Sequence, residues 1–303
     1  MSRLESFPLE EEYKKPTGIT PQDIARLRQW LATQPHLPHE HITDLDLILL
    51  YHRYGCSIEV SKQELDNQYT LRTLFASFFK DRVLDEKIET VLNTVLITIL
   101  PGRSKEGHTI LYGRMIDTDL SKFDFPSSIR AMLMVLDLWQ YAEGTWPGFL
   151  FLFDLHGIKV GLLSKLDLEN IRQFVVYFPG ALLVKLKGVH FLNAPTFMDR
   201  LNAIMRNFMT KEFIDLVTIH QAGDLSGITK VVDLEVLPKE LGGNYKTLEE
   251  LREETQAMMR ANKDFFVEEN KKRVKESLRP GKPKTITDIF GSVEGTFKQL
   301  EID

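Results

Sequence analysis

Between residues 108 and 222 this chain alternates short β-favouring runs with long helical patterns, and that alternation constrains its fold more than any other feature. HTILYGRMI (108–116), GFLFLFDL (148–155), LLVKLKGVHFLN (182–193) and VTIHQA (217–222) are rich in β-branched and aromatic residues. Between them lie PSSIRAMLMVLDLWQYAEG (126–144) and the stretch from Leu166 to Phe178, where apolar residues return at helical spacing. Strands separated by whole helices are not hairpins. The connections are long enough to cross a sheet, so the pattern predicts an α/β domain with a mixed, largely parallel and buried sheet.

The flanking regions read differently. Residues 1–94 form a helical unit. Thr20-Pro21-Gln22-Asp23 supplies a capping hydroxyl, a proline at the first helical position and an early acid. Leu45, Leu47, Leu49 and Leu50 begin a second apolar face that stops near Gly55, and Ser57 caps a third helix running towards Phe78. The sheet domain is expected over 95–245. A charged helix with a thin apolar stripe at Leu248, Leu251, Met258 and Phe265 opens the last unit, 246–303, followed by the basic segment 271–284, read as a solvated charge run.

Composition narrows the function. The net charge of −5 gives no general attraction to nucleic acid, and a single cysteine, Cys56, excludes an intrachain disulfide framework and fits a reducing, cytoplasmic setting. The N-terminal residues lack the apolar core of a secretory signal. The longest aliphatic run, Val95 to Leu100, is far below the about 20 residues that span a bilayer, so membrane contact is expected to be transient and peripheral.

Enzyme signatures are absent from the sequence: no Walker loop, no dinucleotide-type glycine turn, no G-x-S-x-G elbow. His36, His39 and His41 lie in QPHLPHEHI without Cys or carboxylate partners at fixed spacing, which reads as a solvated loop rather than a metal site. Asp154 ends a strand where α/β enzymes place catalytic acids, but no nucleophile or cofactor loop accompanies it. Helix capping or turn stabilisation is its expected role. No metal and no cofactor are expected.

Three stretches, in order, carry a family resemblance. GFLFLFDLHGIKVGLL (148–163), LVKLKGVHFLNAPTFMDRLNAIMRNFM (183–209) and VVDLEVLPKELGGN (231–244) resemble the strand and turn, the basic strand with its helix, and the closing Leu-Pro-x-Glu-x-Gly-Gly of the CRAL-TRIO lipid-binding family. LLYHRYGCSIEVSKQELDNQYTLR is similar to that family's N-terminal helical domain, and FGSVEGTFKQLEID to the tail of tocopherol-transfer-like and retinaldehyde-binding-like members. The resemblance spans about residues 20 to 303. It implies an intracellular, monomeric carrier of a small hydrophobic ligand (tocopherol, retinoid, carotenoid or a similar lipid), held in a buried pocket under a mobile gate helix.

The gate is also legible from spacing. Phe197, Leu201, Ile204, Met205 and Phe208 fall at i, i+4, i+7, i+8 and i+11, opposite Asp199, Arg200, Asn202 and Arg206. Such a stripe is ordinarily the inner face of a core helix; the resemblance makes it a lid that inserts at the lipid interface when open. A carrier needs an enclosing pocket, because apolar burial at about 25 cal/mol per Å² must compete with the bilayer.

Pocket positions implied by the resemblance are Ala131 and Val135 on a helix, Phe149 on a strand and Val189 on the basic strand. Phe151 and Phe153 share a face with Phe149 under strict alternation, and Phe191 shares one with Val189. Tocopherol carriers of that family have small hydroxyl residues where Ala131 and Val135 stand, so a more uniformly apolar cargo is expected here.

Lys185 and Lys187 match the family's basic pair and point to one face, as suits a phosphorylated headgroup. At the second basic pair of the family this chain has Glu212 and Leu216, with Arg206 and Lys211 as possible substitutes. The rival reading is a phosphoinositide-sensing, membrane-recruited regulatory module.

Overall fold

The computed structural model describes residues 3–290; the resembling tail beyond Phe290 and the side chain of Ile204 lie outside the described part. Six helices come first: α1 (Leu9–Lys14), α2 (Pro21–Ala32), α3 (Asp44–Arg53), α4 (Ile58–Leu74), α5 (Ala76–Phe79) and α6 (Glu86–Thr94). Thr20 caps α2 reciprocally with Asp23, and Ser57 caps α4, as their sequence positions require. Ile24, Leu27, Leu31, Leu47, Ile48, Leu65 and Tyr69 close a separate core among these helices, to which Val274 is added from far along the chain.

The sheet follows in the order β1 (Val95–Arg103), β2 (Thr109–Met115), β3 (Phe149–Asp154), β4 (Leu186–Ala194), β5 (Val217–Gln221). The β1–β2 pair is antiparallel and every later pair parallel. Between β2 and β3 runs α7 (Phe125–Glu143); between β3 and β4, α8 (Leu168–Gly180); between β4 and β5, α9 (Met198–Arg206) and α10 (Lys211–Leu216). These helices are the crossovers that parallel pairing demands. β1 is the strand that alternation alone did not reveal: the VLITIL run, noted above only as too short for a bilayer, pairs with β2 at the sheet's edge.

Alternation sorts the strand residues onto two faces. Ile97, Leu111, Phe149, Phe151 and Val189 pack with α7 and α8 in the larger core. Leu96, Ile110, Tyr112, Leu150, Leu152 and Leu192 pack on the opposite face with Ile228, Val232, Leu237, Leu248 and Leu251. The last two belong to α11 (Leu248–Ala261), which breaks at Asn262 before α12 (Lys263–Glu269) rather than running on as one charged helix.

A buried ionic network joins the three parts of the chain. Asp137 of α7 accepts from Arg72 and from Arg82, both at 2.6 Å, and Glu269 of α12 accepts from Arg72 at 3.2 Å. Lys272 pairs with Asp46 of α3 at 2.7 Å and also with Glu269. Lys272 is only 4% exposed, and Arg273 donates to the Phe79 carbonyl. The first part of the 271–284 segment is therefore structural rather than a solvated basic face. Arg279 and Lys284 continue the attachment by gripping Asp66 of α4 at 2.7 and 2.9 Å; burial alone would raise the Asp66 carboxyl, but the two cations hold it down to about 2. The short helix α13 (Ile286–Phe290) follows, with Phe290 stacked on Phe75 at 5.7 Å.

Candidate functional site

On the α7/α8 face, near the C-terminal ends of the strands, the packing leaves an apolar cavity of about 200 Å³. Ile97, Gly113, Met115, Phe153 and Phe191 floor it from four neighbouring strands. Phe125, Ile129 and Met132 wall it from α7, at i, i+4 and i+7, one turn-face of that helix. Ile171 and Phe174 of α8 face them, with Ile158, Leu162 and Leu166 from the turn after β3. Leu201 and Met205 of α9 close the top.

The polar residues around this space are committed elsewhere. The Ser128 hydroxyl donates to the Asp124 carbonyl at 2.8 Å. Arg114 and Asp154 alternate to the opposite face of the sheet, where Asp154 Oδ2 accepts from Arg114 Nη1 at 2.8 Å and from the Tyr112 hydroxyl at 2.9 Å. Asp154 Oδ1 accepts from the His156 amide at 3.0 Å and Asn193 Nδ2 at 2.8 Å. With four donors on two oxygens Asp154 is a structural hub, the turn-stabilising role its position predicts. What remains in the cavity is aliphatic and aromatic surface, suited to holding an apolar solute.

A larger hollow, of about 390 Å³, lies between α3, α7 and α12. Asp46, Arg72, Asp137, Glu269 and Lys272 line it. An apolar ligand there would desolvate charges and return nothing to them, so size does not make it the site for such a ligand.

Of the residues singled out by sequence, Phe153, Phe191, Leu201 and Met205 converge on the apolar cavity. Ala131, Val135, Phe149, Phe151 and Val189 lie in the packed core at 0–2% exposure, outside its lining. Phe149 meets Trp139 edge-on at 5.3 Å, and Phe151 meets Phe178 at 4.6 Å. Helix α9 is shorter than the stripe that marks it: Phe197 is its N-cap and Phe208 lies past its end, 6.0 Å from the Arg172 guanidinium. Met198, off the stripe, is buried. Reading Phe125, Ile129 and Met132 as a helical stripe is the signal that finds the α7 wall.

The basic pair sits at the other end of β4. Lys185 Nζ donates to His52 Nε2 at 3.2 Å, and Lys187 lies beside Gly148 and His108. Burial, then Lys185 and Lys15, pushes the His52 imidazole down to about 4, which keeps it a neutral acceptor. Burial foremost also lowers the Lys185 ammonium, with Lys187 and Arg53 adding repulsion and Cys56 opposing. Lys15 is itself paired with Glu12 at 2.5 Å and donates to the Glu143 and Thr145 carbonyls, and Arg53 donates to the Pro179 carbonyl. Arg206 and Lys211 are exposed and form no ion pair among the described residues. Sequence placed His36 in a solvated loop; it is instead 4% exposed, with Nε2 3.2 Å from Asp66 Oδ1. Among the described residues no three His, Cys, Asp or Glu side chains gather as a metal site, and no helix is long and apolar enough to cross a membrane.

Residues 93–243 match the CRAL/TRIO domain and residues 19–88 the Pinta-like UBA domain. Clavesin-1 of Xenopus laevis is 26% identical over 225 residues, 73% of this chain and 67% of that protein. The alpha-tocopherol transfer protein-like protein of Mus musculus is 22% identical over 249 residues, 82% of this chain and 71% of that protein. The crystal structure of Sfh5 aligns over 80% of this chain and 90% of that one, with 16% identity and a TM-score of 0.46.

Proposed function

The chain carries a CRAL/TRIO domain, and from that premise we propose that it binds a small hydrophobic ligand and transfers it between membranes. Lipid binding and transfer is the level of function its relatives support. The observation that carries the reading for this chain is the apolar cavity closed by Leu201 and Met205. Among the described residues its walls offer no unengaged acid, base or nucleophile to a ligand, which supports sequestration as the work. The 9-residue helix α9 acts as the gate: closed, its stripe covers cargo; at a membrane, the same stripe finds lipid and the cavity opens. The protein works as a cytoplasmic monomer that visits membranes.

Because among the described residues no hydroxyl faces the cavity unengaged, the favoured cargo is more uniformly apolar than tocopherol. Purified protein subjected to lipid extraction and mass spectrometry is expected to yield one apolar species in near-stoichiometric amount, and to accelerate its movement between vesicles. A protein that stays empty when offered candidate lipids and speeds no transfer ends this reading.

A second reading rests on Lys185, which donates to a neutral His52, and on Lys187 near it. They form a cationic surface for an anionic headgroup, phosphoinositide in particular, although Glu212 and Leu216 leave it without a second basic pair. Replacing Lys185 and Lys187 by Glu is expected to abolish binding to phosphoinositide-containing vesicles while cargo binding survives. Unchanged vesicle binding rejects it.

A further inference from the structure

Arg172 of α8 meets two aromatic rings from distant parts of the chain. Its guanidinium lies 4.3 Å from the centroid of Phe290 and 6.0 Å from that of Phe208, and Nη2 donates to the Phe290 carbonyl at 2.5 Å. Phe290 ends α13. Phe208 lies just past the end of α9, tied to it by its amide donating to the Met205 carbonyl at 2.9 Å. Met205 helps to close the cavity, and Ile171, next to Arg172 on α8, is part of its wall. The last helix and the roof of the cavity thus converge on one side chain.

The approach to Phe290 is fixed along its length. Arg279 and Lys284 hold Asp66 near the middle of α4, and Thr285 starts α13 by exchanging hydrogen bonds with Asp288. Ile286 and Ile289 pack on the larger core. The Phe290 ring lies 3° from parallel on Phe75, where α4 ends, and Phe75 is fully buried. The carbonyl and the ring of Phe290 select, among the rotamers open to a long side chain, the one in which Arg172 also meets Phe208.

We propose that residues 279–290 are a strap that holds the gate shut, with Arg172 as the positioning residue through which the strap acts. The inference rests on the carrier reading and adds what restrains its gate. Opening of α9 carries Phe208 away from Arg172 and forfeits that contact. A strap in place therefore favours the closed state and slows release of cargo; a strap lifted from α4 leaves Arg172 free to turn to solvent. One cation–ring contact at a partly exposed site changes such an equilibrium by about two- to fivefold, which tunes the gate without locking it.

Hydrogen exchange of the full chain, read by mass spectrometry, tests this without any ligand. Phe290→Leu keeps apolar bulk on Phe75 but loses the ring beside Arg172. It is expected to speed amide exchange in α9 by about two- to fivefold while α7 exchanges as in the wild type. Phe290→Tyr, which keeps the ring, is expected to match the wild type. Phe208→Leu should speed α9 exchange likewise, and adding Phe290→Leu to it should change little more, because both act on Arg172. A second arm loads the fluorescent polyene cis-parinaric acid and follows its transfer to phosphatidylcholine vesicles, which Phe290→Leu should accelerate by the same factor. Exchange raised in α7 as much as in α9, with a lower melting temperature, would mean that Phe290 merely supports the fold, and overturns the proposal. So do unchanged α9 exchange in Phe290→Leu, or additive effects of the two leucines. Wild-type protein that takes up no cis-parinaric acid counts against the carrier reading, while the exchange measurements still decide the strap.

Discussion

His190 and His220 face each other across adjacent strands, Nδ1 to Nε2 at 3.0 Å, with their rings 24° from parallel. They stand at 8% and 6% exposure on β4, which runs on to α9, and β5, which receives the chain from α10. One imidazole donates and the other accepts, so the neutral pair is a hydrogen bond that pins the two strands bracketing α9 and α10. A proton on each would place like charges in contact.

Burial first, then its neighbour, pushes His190 down to about 4; burial also lowers His220, against a raising influence from Asp224. For a histidine whose folded pKa is depressed, stability is fully present above the unfolded value near 6.5 and is lost as pH falls towards the folded value near 4. The window for His190 corresponds to about 3 kcal/mol at most. His52, also lowered to about 4, acts in the same direction. Urea unfolding at pH 7 and pH 4.5 should show a smaller acid loss in His190→Gln than in the wild type. Equal losses in the two proteins would reject the pair as an acid-sensitive element.

Asp154 accepts from Tyr112, Arg114, His156 and Asn193 and is 1% exposed. Asp154→Ala leaves a guanidinium, a phenol and two amides without their acceptor, and is expected to destabilise the fold by about 3–5 kcal/mol. Chemical denaturation measures this directly. A loss below about 1 kcal/mol would mean that the hub relaxes onto other partners.

Arg72 ties α4 to Asp137 on α7 and to Glu269 on α12. Arg72→Met should cost about 1.5–3 kcal/mol by taking one cation from Asp137 and Glu269, which keep Arg82 and Lys272 as partners. Adding Asp137→Leu should cost less than the sum of the single changes, with a coupling above about 1 kcal/mol in a double-mutant cycle. Additive behaviour would show that the network is not one energetic unit.

Met205 is 8% exposed and lines the cavity, whereas Ala203 on the same helix is exposed. A carboxylate introduced at 205 has no partner among apolar walls. Met205→Asp is expected to lower retained cargo by about tenfold or more, and Ala203→Asp to leave it within about twofold, by mass spectrometry of extracted lipid. Equal retention in both variants would remove α9 from the cavity's roof.

Local signals were legible where local physics decides. The Thr20 box and the Ser57 cap sit where hydroxyl, proline and acid spacing put them. Asp154 was readable as a turn acid, though its four donors come from three separate segments. Periodicity placed Leu201 and Met205 on one face but extended the helix through Phe197 and Phe208, because apolar spacing continues past the turn where backbone hydrogen bonding stops. Charge counting read 271–284 as solvated, since Asp46 and Asp66, which tie Lys272 and Arg279 to the helical unit, are more than two hundred residues away in sequence.

By itself, then, the sequence determined the kind of domain: β-favouring runs divided by whole helices leave parallel crossovers as the way to bury both faces of a sheet. Tertiary structure decided where the empty space lies. Phe149, Phe151 and Phe153 are equivalent by alternation, yet the first two are sealed under α7 and α8 while Phe153 opens onto the cavity beside Gly113. That difference depends on how far each covering helix extends over the sheet and on what stands opposite on the next strand. Both are long-range packing outcomes, and a local period of two or 3.6 residues carries no information about them.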